Sequence, residues 1–267
     1  MNSEPGGNLT SDRPPDPTRL ATRQKLILTG LFLAKFDLMG LKSLGFESFA
    51  EAFNVIGYAS GAKPASIKNY RDEFDPLFPN PRMGWHRRPI RDYCRIVYED
   101  YNDLDLDSFS GLVKSFFGFD QNAASAAETL SSEDSASVFS QRLITGAAAE
   151  QYFESVHPSI PEFAGYAAEN TTRFGCGYDF RLRREANESG FLAVEVKGLK
   201  DLTGSVSMTP KEHDVASALG ERFYLFVVRN FREKPSHSIY RNPLSADLSF
   251  KRSERVLVQV SWVANIA

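Results

Sequence analysis

The chain has 267 residues, of which 42% are hydrophobic and 24% charged, with a formal net charge of −3. These values suit a globular protein of one large domain or two modest ones; they exclude a strongly basic chain, so any nucleic-acid surface has to come from local clustering. Cys94 and Cys176 are the two cysteines and lack CxxC spacing, which argues against a disulfide framework or a zinc site and makes a reducing cytoplasm the expected compartment.

Residues 1–18 hold Pro5, Pro14, Pro15 and Pro17 among small and polar residues and read as a disordered tail. They lack the charged-then-apolar order of a signal peptide. The apolar run 26–39 is interrupted by Lys35 and Asp37 and is too short for a bilayer, so no membrane association is expected. Residues 19–38 carry Leu26, Ile27, Leu31, Ala34 and Leu38 at helical spacing. Residues 48–58 form a second helix, Gly61 a stop, and Pro64 the start of a third that runs to residue 74. Two helices across a short Gly-containing turn fit a helix-turn-helix, here expected to be winged-helix-like. Helical patterns resume at 89–100 and 106–117.

Ser, Ala, Glu and Asp dominate 119–137, which reads as a linker between a helical domain at 19–118 and a second domain at 138–267. The second domain predicts a helix at 138–155, strands at 177–182 and 192–197, and a helix at 209–219 entered by Thr209-Pro210. A doubly buried strand at 223–228 and a last strand at 256–262 complete an α/β layout with a mixed sheet.

The chemistry concentrates in the strand at 192–197. Leu192, Val194 and Val196 alternate with Ala193, Glu195 and Lys197, so Glu195 and Lys197 share one face. Asp179, at the end of the preceding strand, brings a second carboxylate. Converging carboxylates hold a hard divalent ion through oxygen, and Mg2+ keeps waters, one of which attacks phosphorus. The Val196 carbonyl is a further candidate ligand. Lys197 would stabilise phosphate charge or help to deprotonate the water. That set suits phosphodiester hydrolysis. A lone Glu-x-Lys is also common as a solvated cross-face pair. Glu154-Ser155-Val156-His157 has the spacing of a di-iron motif but no second copy, and no GxGxxG or GxxxxGK[ST] loop occurs.

Gly177-Tyr178-Asp179-Phe180 followed by Ala193-Val194-Glu195-Val196-Lys197-Gly198 resembles the PD-(D/E)xK nuclease core. More narrowly it resembles the domain at the C-terminus of plant NO VEIN proteins and in bacterial restriction-type proteins. Gly146 to Phe153, Thr209-Pro210-Lys211-Glu212 and Ala218 to Val228 resemble that family's flanking elements, so the likeness covers about 140 to 232. A Tyr, not a Pro, precedes Asp179. The resemblance implies a restriction-endonuclease-like α+β core, with Asp179 and Glu195 as metal ligands, Lys197 as catalytic lysine and Glu150 as a possible extra metal or water ligand. For Glu212 the bare sequence offers the first turn of a helix capped by Thr209.

Arg82, Arg87, Arg88, Arg91 and Arg95 gather near Trp85 and His86, and with Lys63, Lys68 and Arg71 they suit contacts to a DNA duplex. The plain alternative is a charged helix face paired to Asp72, Glu73, Asp92 and Glu99. Taken together, these features lead us to expect a Mg2+-dependent DNA endonuclease of restriction-modification or phage-defence type. Double-strand cutting needs two sites, hence a homodimer, with a cognate DNA methyltransferase as a further expected partner. Two other readings stay open: a non-catalytic DNA- or protein-binding module on a nuclease-like scaffold, and an RNA-directed toxin nuclease.

Overall fold

The computed structural model describes residues 20–82, 84, 88–117, 133–184, 190–245, 248–254 and 264, without the side chains of 133–140. The expected tail, Trp85, His86, Arg87 and the expected strand at 256–262 lie outside these residues.

Helix α1 (Thr22–Ser43) is buried without a break from Leu26 to Ala34. A helix apolar on every side has to be surrounded, and α3 (Pro64–Phe74), α4 (Asp92–Tyr101) and α5 (Leu106–Ser115) pack around it. It is longer than its periodicity suggested and is interrupted at Asp37, whose φ of 47° is not helical. Helix α2 (Phe49–Ala59) starts at Ser48, whose Oγ accepts the Glu51 N–H at 3.1 Å. Such a cap satisfies a donor that the first turn leaves open. Gly61, at φ +65°, turns the chain into α3, which begins at Pro64 as expected. Among the described residues this helical part contains no strand, so a wing is not among them.

Helix α6 (Glu133–Val156) begins inside the stretch read as a linker. Five strands follow: β1 (Ala167–Asn170), β2 (Phe180–Arg183), β3 (Leu192–Gly198), β4 (Phe223–Arg229) and β5 (Ser236–Arg241). They lie side by side in chain order, all antiparallel except the parallel pair β3–β4. A parallel pair needs a crossover, and helix α7 (Pro210–Leu219) supplies it. The molecule is therefore mixed α+β, with a five-stranded mixed sheet.

Period-two alternation gives β3 its two faces. Val194 and Val196 join Ala148, Ala149, Tyr152 and Phe153 of α6 in the main apolar core. Ala193 turns the other way, to Tyr178, Phe223 and Ala216 of α7. Glu195 and Lys197 continue the Ala193 face, so the sheet packs over most of its area and leaves charge at one end.

That main core runs without interruption from α1, α2 and α3 through α6 into the sheet. Polar contacts reinforce the junction. Asn54 of α2 donates through Nδ2 to the Phe231 and Glu233 carbonyls at 2.8 and 2.9 Å. Lys200, just beyond β3, pairs with Glu47 at 2.7 Å and Glu51 at 3.3 Å. Among the described residues no helix is long and apolar enough to cross a membrane.

Gly198 ends β3 where α6 comes closest: a Cβ there would lie 2.7 Å from the Thr145 carbonyl oxygen and 3.0 Å from Thr145 Cγ2. Gly198→Ala should therefore cost about 1–3 kcal/mol by overpacking. Gly111→Ala in α5, where nothing lies within 4 Å, should be neutral or stabilising by up to about 1 kcal/mol through helix propensity. Chemical denaturation of both variants checks the opposite signs.

Candidate active site

Asp179 stands one residue before β2, next to the Phe180–Val194 pair of the antiparallel ladder. Its backbone N–H donates to the Val194 carbonyl at 3.0 Å, and its Oδ2 accepts the Val196 N–H at 2.9 Å. The Asp179 carbonyl accepts from the Thr171 N–H at 2.7 Å, which pins the 3-10 turn Thr172–Phe174 beside it. A strand residue directs its N–H and C=O to the same edge, so the Val196 carbonyl faces Asp179 too, past the last β2–β3 pair.

Glu195 is 3% exposed, and its Oε1 accepts from Lys197 Nζ at 2.5 Å. Lys197 Nζ also donates to Glu212 Oε2 at 3.0 Å. Glu212 belongs to the first turn of α7 and forms a capping box with Thr209: Thr209 N–H donates to Glu212 Oε2 at 2.9 Å, and Glu212 N–H to Thr209 Oγ1 at 3.3 Å. The expected cap at Thr209 is present, and the same carboxylate also reaches the lysine. Glu150 comes from α6. Thr172 Oγ1 lies 3.3 Å from Glu150 Oε2 and 3.5 Å from Asp179 Oδ1, so its one hydrogen serves either carboxylate in turn. Sequence reasoning missed Thr172 and gave Glu212 only its helical role; the Thr-x-x-Glu spacing was the available signal.

Glu150, Asp179, Glu195, Val196, Lys197 and Glu212 line one cleft of about 820 Å³, which continues past Lys200 to Glu51 and Val55 of α2. Its charges are unbalanced, and the titration of its groups reflects that. Burial, then repulsion from Asp179, pushes Glu150 up to about 7. Burial, then Asp179, also raises Glu195, against the pull of Lys197. Asp179 is raised by burial despite the Val196 N–H and Lys197. Burial alone would lower Lys197, but Glu195 and Glu212 outweigh it and hold the ammonium above its ordinary range.

Hard, buried, mutually repelling carboxylate oxygens are the donor set that a divalent cation neutralises. Asp179, Glu195 and Glu150, with the Val196 carbonyl, fit such an ion by their chemistry. As they stand, no three acidic, His or Cys side chains among the described residues are gathered closely enough to hold one, and Lys197 takes up an oxygen of Glu195.

The basic residues of the helical part are used differently. Arg82 reaches Asp75 through two hydrogen bonds of 2.8 and 2.9 Å and also bonds Asp37. Arg71 is buried, bonds Asp72 at 2.8 Å and lies over the Phe49 and Phe53 rings. Lys68 pairs with Asp72 at 2.5 Å, and Arg95 with Asp92 and Glu99. Arg88 bonds Glu73; Arg91 gives its N–H to Glu73 at 2.9 Å and its guanidinium to Tyr93. Lys63 is exposed ahead of α3. Arg71 and Arg82 both give their charge to Asp75, whose side chain is fully buried. Arg87 lies outside the described residues.

The family model described as "Protein NO VEIN, C-terminal" matches residues 149–241, from within α6 to the end of β5. This span includes Glu150, Asp179, Glu195, Lys197 and Glu212, while Glu51 of α2 lies outside it. No curated protein and no solved structure matches the chain.

Arg82→Ala would remove both hydrogen bonds to Asp75 and leave its buried carboxylate only the longer pair with Arg71 at 3.8 Å, so it should cost about 3 kcal/mol in denaturation experiments. Glu150 yields a pH test. A carboxyl whose folded pKa is raised binds more protons folded than unfolded, so its contribution falls as pH rises through the window from 4.5 to about 7. Glu150→Gln should therefore melt with the parent near pH 4.5 and increasingly above it toward pH 8, by a few degrees. A pH-independent difference would contradict the assigned cause.

Proposed function

We propose that the chain is a Mg2+-dependent endonuclease that hydrolyses DNA phosphodiesters, in a restriction or defence role. The observation that carries this reading is the convergence of Asp179, Glu195 and Lys197 on one cleft, with Glu150 brought beside Asp179 by α6. The match of 149–241 to the NO VEIN C-terminal model supports the likeness of this segment to that family, and the resemblance to a nuclease core supports the activity.

Asp179 and Glu195, with the Val196 carbonyl and Glu150, would hold the cation, which supplies an activated water and charge neutralisation at phosphorus. The protein groups divide the remaining work. Lys197, held above its ordinary pKa, is an ammonium at neutral pH, so its role is to stabilise charge on the phosphate oxygens rather than to act as base. Glu150, set beside Asp179 across Thr172, would hold the cation or one of its waters. The Val196 N–H fixes Asp179 Oδ2 and leaves Oδ1 turned toward Thr172 and Glu150.

Plasmid DNA incubated with Mg2+ and the parent protein should be cut, and Lys197→Ala should cut roughly 10²–10³-fold more slowly. EDTA should stop the reaction. Undiminished cutting by the variant would remove Lys197 from the chemistry. Failure to cut DNA of any modification state, with binding retained, would favour a non-catalytic module on the same scaffold.

A further inference from the structure

Glu212 lies outside the Asp179, Glu195 and Lys197 pattern, yet one of its oxygens serves two donors. Oε2 accepts from the Thr209 N–H at 2.9 Å and from Lys197 Nζ at 3.0 Å. The first bond belongs to the capping box of α7, so the carboxylate is fixed by a helix end before it meets the lysine. The second ties that helix end to β3.

Lys197 has three N–H donors, and its nearest acceptor is Glu195 Oε1 at 2.5 Å. An ion that takes Glu195 through Oε1 competes with the ammonium for that oxygen and repels it. With no other acceptor in place, the displaced ammonium, with a side chain only 23% exposed, would lose its charge-assisted bond and keep its desolvation cost. Glu212 offers an acceptor that is already positioned. Helix α7 thus supplies a second seat for the lysine.

We propose that Glu212 is a positioning residue that retains Lys197 when Glu195 turns to a divalent cation, so that cation and ammonium share the cleft. The inference rests on the reading that this cleft takes a metal ion. It assigns Glu212 no contact with the ion or the substrate.

Calorimetric titration of the full chain with Mg2+ and with Ca2+, in the absence of nucleic acid, tests it. The parent, Glu212→Gln, Lys197→Ala and the double variant are compared first. Gln still accepts from the Thr209 N–H in a capping box, so Glu212→Gln should melt close to the parent. In the Lys197 background, Glu212→Gln should weaken cation binding about tenfold, as expected for a charge-assisted hydrogen bond reduced to a neutral one. In the Lys197→Ala background the same change should have less than about a twofold effect, since no ammonium remains to be held. Glu212→Asp, which keeps the charge but shortens the reach, should repeat this dependence on background.

An equal loss in both backgrounds would make Glu212 a ligand of the ion and overturn the proposal. No loss in either would reduce it to a helix cap and overturn it as well. A parent that binds neither cation would sink the metal-dependent reading together with this inference. The expected pattern in a protein that cuts no DNA would leave the role of Glu212 standing and remove only the nuclease assignment.

Discussion

Helix α6 is held between two layers, and much of the molecule follows from how little space it is given. On one side it meets α2; on the other it meets β3 and β4. Ala148 and Ala149 are fully buried, and Gly198 leaves no room for a methyl group beneath the Thr145 carbonyl. Small residues bring helix and strand backbones into close approach, and the larger Phe153 then fills the space against Phe180 and Phe226. This packing fixes the axial position of the helix, and so places Glu150 beside Asp179 across Thr172. It also lets α2 line the far end of the cleft.

Two ionic clusters in the same molecule obey one electrostatic rule with opposite results. In the helical part Asp37, Asp72, Glu73 and Asp75 face Lys68, Arg71, Arg82, Arg88 and Arg91, so charge is matched. Burial there is offset by partners, and Asp72 and Glu73 end below the usual carboxylate range although burial alone would raise them. In the cleft Glu195 and Glu212 bond Lys197, Asp179 and Glu150 lie beside them, and Glu150, Asp179 and Glu195 are not brought down. A balanced network is a structural device; an unbalanced buried one holds repulsion that a ligand relieves. That contrast separates the charge-matched arginine network from the acidic cleft.

The junction between the helical layer and the sheet has a consequence for the cleft. Asn54 and Lys200 fasten the ends of β4 and β3 to α2 and the segment before it. Both strand ends border the charged groups, so the helical layer steadies the site. Arg232 adds to this through Glu47 and Asp201.

Local regularity was readable from the sequence alone. The alternation of Leu192 to Lys197 put Glu195 and Lys197 on one face; Pro64 and Gly61 marked α3 and its turn; Thr209-Pro210-Lys211-Glu212 announced a capped helix; and the apolar run after residue 222 became β4. Each of these is set by neighbours a few residues apart. The short strands β1 and β5, mostly exposed or half-buried, carried no such pattern and exist because β2 and β4 offer them edges. The break of α1 at Asp37 depends on no local signal either, and Arg82, its partner, comes from beyond α3. Side chains choose partners by distance in space, so the internal use of the arginines was settled only by the tertiary structure. So were the double bond of Glu212 and the meeting of Glu150 with Asp179: helix and strand periods say which way a group points, and packing says what it meets.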